Sequence, residues 1–254
     1  MTLNEQPFVV VDVETTGLDP LLNQPVEICA ARVIGGRIES TFATLVNPGI
    51  PIRPDASAIH HLTDDDVVDG LPPIEARAQL AQFIAPGEVL VAHNASFDRS
   101  FLAGVSSAPW LCTLRMAKHL WPDAPNHSNQ TLRYYLKVRV PTFEAQAHRG
   151  MPDVFATAAI LDQGIKAYLS AGGVDEAGAF LAFVNAPLRI ERMPFGQHKG
   201  KLLAEVDTDY LRWAAIEAEA VRKDADLRSA LHTELAHRER RITPLRPTGT
   251  ERAR

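Results

Sequence analysis

The chain has 254 residues, 46% of them hydrophobic, with a net charge of −5 and two cysteines. That length supports one sizeable core with room for a small second module. It excludes a disulfide scaffold, because Cys29 and Cys112 lie in apolar runs without zinc-ligand spacing, and the acidic balance disfavours a protein that coats nucleic acid with lysines. A carboxylate-rich metal site fits the sign, since bound cations reverse it locally. The charge is uneven: residues 222–254 carry a net +4, which leaves −9 for the rest. MTLNEQPF has neither a basic nor an apolar leader pattern, and no run approaches the ~18 apolar residues of a membrane span. A cytoplasmic protein without a membrane segment is expected.

In chain order, Phe8–Val13 is an apolar run ending in carboxylates and predicts a buried central strand. Val26–Ile34, Gly35-Gly36 and Arg37–Val46 predict a β-hairpin. Asn47–Pro54 is loop. Thr63 before three aspartates predicts a helix start. Ile74–Ile84 has helical spacing and stops at Pro86-Gly87. Val89–Ala92 is a short buried strand and Phe97–Leu102 a helix, with Asn94 or Ser96 as its cap. Thr113–Trp121 is an amphipathic helix ended by Pro122. Asn129 is placed to cap a helix carrying Leu132, Tyr135 and Leu136. Pro152–Leu169 is a long apolar helix with proline at its start. The order predicts a mixed α/β sheet with helices on both faces.

The pattern breaks near Ala171-Gly172-Gly173. The expected organisation is a main domain over residues 1–170, a linker over 171–186, a small module over 187–235, and a basic tail over 236–254 without fixed structure. In the module, Phe195-Gly196-Gln197-His198-Lys199-Gly200-Lys201 forms a basic loop bounded by glycines. Its Gly200 is expected to expose N–H groups to an anion, and Lys199 and Lys201 to meet phosphate. Asp207 or Thr208 caps a following helix, whose Tyr210, Leu211 and Trp213 are read as core.

Three segments carry chemistry. Asp12 and Glu14 sit at i and i+2 on a strand, so their side chains share one face. Two carboxylates at a buried strand end repel each other unless something neutralises them. Hard divalent cations do so through oxygen ligands. Asp98 falls in the early turns of the helix after His93-Asn94-Ala95-Ser96-Phe97, facing the sheet end. Asp153 falls in the first turn of the Pro152 helix, and His148 lies just before it. Each segment alone has a plain alternative: a solvated strand end, a capped helix start, an acid matched to a helix dipole.

Together, VDVETTGLDP, HNASFD and HRGMPD resemble the three signature segments of the proofreading-type (DEDD, or DnaQ-like) 3′→5′ exonuclease superfamily. The His148-x4-Asp153 spacing is that of the histidine subclass, and Arg149 stands where the tyrosine subclass has tyrosine. The similarity runs from about residue 7 to 170. Ala58–Thr63, Trp110–Thr113, His119–Pro122, Ser128-Asn129 and FGQHKGK…YLRW are similar to the exodeoxyribonuclease X group. One departure is Gly150-Met151-Pro152, where members usually carry an alanine-leucine pair.

The resemblance implies an RNase H-like fold: a mixed five-stranded sheet flanked by helices, with a small C-terminal module. It implies two Mg²⁺ ions per site, replaceable by Mn²⁺, held by Asp12, Glu14, Asp98 and Asp153, with His148 as general base. It implies release of nucleoside 5′-monophosphates from 3′-terminal DNA, single-stranded by preference, in repair or recombination. Thr15, Gly17, Leu18, Asn94 and Phe97 would meet the terminal nucleotides, with Leu18 a base wedge or else core. An exoribonuclease or a polymerase proofreading subunit would share these carboxylates. A non-catalytic binding protein would be expected to lack one of the five residues.

Overall fold

The computed structural model describes residues 1–140 and 150–242 and divides into two compact units, Met1–Asn185 and residues from Ala186 onward. In the first unit, five strands order as β3-β2-β1-β4-β5. They are β1 (Phe8–Thr15), β2 (Pro25–Ile34), β3 (Arg37–Leu45), β4 (Val89–Ala92) and β5 (Trp110–Cys112). β1 pairs antiparallel with β2 and parallel with β4. β2–β3 is antiparallel, with Gly35 and Gly36 supplying the positive φ its turn needs. β4–β5 is parallel.

The valine run of β1 makes it the central strand, since β-branched side chains suit a sheet covered on both faces. Phe8 and Val10 enter one core with Cys29, Ala31, Val91 and Leu111. Val9 and Val11 enter the other with Ile28, Ala30, Leu90 and Ala92. β1 reaches two residues further than its apolar run. Pairing with β2 continues to Glu14 opposite Glu27 before an irregularity at Glu14/Thr15. Asp12 and Glu14 therefore extend the face of Phe8 and Val10.

The helices of this unit are α1 (Pro54–His60), α2 (Asp64–Val67), α3 (Pro73–Phe83), α4 (Ser96–Phe101), α5 (Thr113–Leu120), α6 (Asn129–Tyr135), α7 (Gly150–Ser170) and α8 (Ala177–Asn185). α3 and α4 cover the Val9 face through Ala76, Leu80 and Phe101. α5, α6, α7 and α8 cover the Phe8 face through Met116, Leu132, Ile160 and Phe180. Residues 171–186, expected as linker, thus carry α8, whose Phe180 and Val184 are fully buried.

Several local expectations change. Thr63 does start α2, in a reciprocal capping box with Asp66. α6 is capped by Ser128, which accepts from Thr131 N–H, and Asn129 is its first residue. Neither Asn94 nor Ser96 caps α4 through a side chain. α7 is already helical at Gly150, two residues before Pro152, and the Glu27 carboxylate accepts the Gly150 N–H at 3.0 Å. A carboxylate at a helix start satisfies an orphan donor and matches the helix dipole.

The second unit holds a core of Met193, Leu203, Leu211, Val221 and Leu231, among others. Its helices are α9 (Thr208–Glu217), α10 (Glu219–Lys223) and α11 (Ala225–Ile242). Asp207 caps α9. Leu211 is buried as expected, but Trp213 is 49% exposed and Tyr210 only partly buried. α11 runs into the segment expected to lack fixed structure. The Arg238 guanidinium holds it there, donating to the Val206 and Leu203 carbonyls, Thr208 Oγ1 and Glu234. Among the described residues no helix is long and apolar enough to cross a membrane.

Candidate active site

Three carboxylates meet where β1 leaves the core. Asp12 and Glu14 come from β1 and Asp153 from the first turn of α7, and one oxygen of each lies within 4.8 Å of the others. The meeting follows from strand alternation, which aims the two β1 acids at the face that α7 covers. Asp98 reaches the same region from α4. It is 3% exposed, and its Oδ1 accepts the Val13 N–H at 3.2 Å, between the two β1 acids. Segments 85 and 140 residues apart along the chain from Val13 thus converge.

The charges press on one another. Burial, then the carboxylates of Asp98, Glu14, Asp153 and Glu27, holds the Asp12 carboxyl well above the usual range. Burial pushes Asp98 up to about 7, against the lowering effect of its backbone hydrogen bonds. A cluster that resists ionisation in this way is a seat for cations. Every donor in it is a carboxylate oxygen, the choice of hard divalent ions and a poor one for soft metals.

Neighbours hold the acids in place. Gln130 Nε2 donates to Asp153 Oδ1 at 3.0 Å, and Asn129 Nδ2 reaches the Asp153 carbonyl at 3.3 Å and Thr157 Oγ1 at 2.9 Å. Sequence reasoning assigned no role to Gln130, Thr157 or Glu27. Gln130 sits in a helix start 23 residues from its partner, and nothing local marks such a pairing. Glu27 left a trace, as the one acid inside the apolar run Val26–Ala31. Its carboxylate is buried beneath the site and belongs to the start of α7.

Gly150 fits only because it has no side chain. A Cβ there would stand 2.8 Å from Cys29 Sγ and 3.2 Å from Glu27 Oε2. The glycine in place of alanine is therefore matched to the cysteine beneath it. His148 lies outside the described residues, two positions before this contact. His93 is described: its ring bridges Thr113 Oγ1 at 2.9 Å and the His127 carbonyl at 2.8 Å. Burial lowers its pKa to about 4, so it is neutral and joins β4 to α5.

Beside the acids runs a cleft of about 600 Å³ lined by Glu14, Thr15, Gly17, Leu18 and Phe97 on one part, and Arg53, Ile59 and His60 of the α1 region on another. Leu18 is 81% exposed, which removes the core reading for it. Thr15 is buried and donates to the Gly17 carbonyl at 2.7 Å. At Gly17 a Cβ would meet Asn23 Oδ1 at 2.5 Å, so a larger residue there displaces the Asn23 amide from its bonds to Thr16 and Asp19. Phe97 packs on Phe101, with centroids 5.0 Å apart. Asn94 is exposed, with φ of 68°. Lys199 and Lys201 belong to the second unit, on a turn whose N–H groups are already used. Gly200 N–H donates to Met193, Lys199 to Gly196 and Lys201 to His198. The expected backbone anion seat at Gly200 is absent, and the lysine side chains are exposed.

A five-stranded mixed sheet with helices on both faces, and an acid cluster at the end of its central strand, defines an RNase H-like nuclease architecture. The Exonuclease family model matches residues 9–161, and the chain belongs to that family. It is 36% identical over 208 residues to Exodeoxyribonuclease 10 of Escherichia coli K12, covering 80% of this chain and 88% of the relative. It is 38% identical over 165 residues to the PolC-type DNA polymerase III of Caldanaerobacter subterraneus, covering 61% of this chain but 11% of that protein. A structure of Exonuclease X in complex with 5′ overhanging duplex DNA superposes with a TM-score of 0.58 at 34% identity, over 68% of this chain and 98% of that one. Exonuclease I of E. coli with a dT13 oligonucleotide shares the fold, with a TM-score of 0.59 at 16% identity, over 85% of this chain and 60% of that one.

Proposed function

We propose that this protein is a cation-dependent 3′→5′ exodeoxyribonuclease, cytoplasmic and acting in DNA repair or recombination. It releases nucleoside 5′-monophosphates and prefers a single-stranded 3′ end. The observation that carries the reading is the convergence of Asp12, Glu14 and Asp153 within 4.8 Å, with Asp98 fixed on Val13 N–H beside them. Asp12, Glu14, Asp98 and Asp153 hold two divalent ions, Mg²⁺ by preference and Mn²⁺ as substitute. When bound, the ions offset the negative charge of the scissile phosphate and of its attacking and leaving oxygens.

The chain supplies the rest. Gln130 and Val13 N–H orient two of the acids. His148, as a neutral imidazole, takes a proton from the attacking water. Leu18 stands exposed at the cleft to wedge against the terminal base, with Thr15, Gly17, Asn94 and Phe97 around the terminal nucleotides. Both bases flanking the cut must splay apart for the phosphate to enter, which favours an unpaired end. Lys199 and Lys201 contact phosphates. The polymerase relative supports a second reading, proofreading for a polymerase, with the same chemistry at the same residues. Digestion of matched single-stranded DNA, duplex DNA and RNA, each labelled at one end, is the test. Mononucleotide release from DNA 3′ ends is expected. Cleavage of RNA alone, or from 5′ ends, would overturn the proposal.

A further inference from the structure

The second unit presents an aromatic surface beside a turn with two exposed lysines. On α9, Tyr210, Trp213 and Ile216 recur every three residues on one side. Trp213 is 49% exposed and Ile216 69%. Tyr210 links this stripe to the basic turn. Its ring lies 5.2 Å from Trp213 and 4.5 Å, edge-on, from His198. His198 is followed by Lys199 and Lys201, both exposed.

Over residues 189–217 five Lys/Arg balance five Asp/Glu, so what favours an anion here is local: two exposed lysines on the turn that meets Tyr210. Asp207 is occupied as the α9 cap, Asp209 pairs with Arg212 at 3.3 Å, and Glu191 pairs with Arg189 at 2.8 Å. Among the described residues neither Lys199 nor Lys201 forms an ion pair. Three side chains are far too little for a protein interface, which needs on the order of 1,200 Å². They are the size of one or two stacked bases.

We propose that this face of α9 binds single-stranded nucleic acid, with Trp213 stacking on a base and Lys199 and Lys201 meeting the phosphates beside it. The inference rests on the reading of the two lysines as phosphate contacts and adds the element that selects unpaired strands. A duplex hides its base faces, whereas a single strand offers one to any flat aromatic ring. The lysines alone would not discriminate the two.

The test uses the full chain in EDTA, which stops cleavage, with a 5′-fluorescein oligothymidylate read by anisotropy over a salt series. Trp213→Ala is expected to weaken binding about 5- to 100-fold, the range for one lost base stack. Trp213→Phe retains a stacking ring and is expected to keep most of the affinity, which separates stacking from folding. Lys199→Ala with Lys201→Ala should reduce the salt slope by about 0.7 per lysine. Binding by Trp213→Ala equal to wild type overturns the proposal and leaves the stripe to a protein partner. Loss of affinity in Trp213→Phe as large as in Trp213→Ala also overturns it. Digestion of the same oligonucleotide in Mg²⁺ scores the exonuclease reading separately. Wild type that binds and does not digest would sink that reading and leave the surface standing.

Discussion

Gln130 offers a direct test of how the acids are held. Gln130→Met keeps the length of the side chain and removes the Nε2–H donor 3.0 Å from Asp153 Oδ1. A hydrogen bond to a charged group contributes about 1.5–3 kcal/mol. Part of that is recovered by water, because Gln130 is only half-buried. The remainder acts on the carboxylate's orientation. Supporting contacts to metal-binding side chains typically change affinity or activity by about 10- to 100-fold. The expected result is a 10- to 100-fold rise in the Mg²⁺ concentration giving half-maximal exonuclease rate, with a smaller change in the rate at saturating Mg²⁺. Mn²⁺ binding followed by calorimetry should weaken in parallel, with no DNA present. Thermal stability should move little, since Asn129 still ties α6 to α7 through Thr157. A Gln130→Met variant with the wild-type metal dependence in both assays would show that Asp153 needs no such hold.

Other outcomes follow from the same contacts. Asp12→Asn should abolish cleavage. In EDTA it should also flatten the fall in stability that wild type shows as pH rises from about 4. A carboxyl whose folded pKa is raised binds more protons folded than unfolded, so ionising it is destabilising. Melting curves of the two proteins across pH check this. His93→Gln should flatten the opposite trend. Wild-type His93 titrates at about 4 in the fold against 6.5 free, so its contribution is intact above 6.5 and is lost as pH falls toward 4, by up to about 3 kcal/mol. His148→Ala should lower the rate about 10²–10⁴-fold and remove the acidic limb of the pH–rate profile. An unchanged limb would assign that limb to a carboxylate or to metal binding.

Much of the sheet was legible because its signals are local. The β1 valines, the Gly35-Gly36 turn and the apolar Val89–Ala92 segment each state their own conformation. The meeting of Asp12, Glu14, Asp98 and Asp153 was legible only because three motifs occurred together, since each had an ordinary explanation alone. What escaped depends on partners distant in the chain. α7 is helical before Pro152 is reached, and a carboxylate on β2 holds its Gly150 N–H. Ser128 outcompetes Asn129 as cap because the Asn129 amide is drawn to α7. α8 has a polar start signal in Asp175-Glu176, overshadowed by the Gly172-Gly173 break just before it, and the burial of Phe180 and Val184 fixes its place. Trp213 was read as core because helical spacing gives the period of a stripe but not which side the rest of the unit covers.

The contact between Cys29 and Gly150 constrains how this site can change over generations. With Cys29 Sγ 2.8 Å from where a Cβ would stand at position 150, alanine at 150 is blocked while the sulfur remains. The reverse step is easier: Cys29→Ala leaves a small gap costing roughly 1 kcal/mol, after which a Cβ at 150 meets the Cβ of residue 29 at 3.1 Å and Glu27 Oε2 at 3.2 Å, contacts that a shift of a few tenths of an ångström relieves. The two substitutions are therefore better tolerated in one order than in the other. Their double-mutant cycle should show strong favourable coupling. A mutational scan made in the present background will therefore record position 150 as intolerant, although the intolerance belongs to the neighbouring strand.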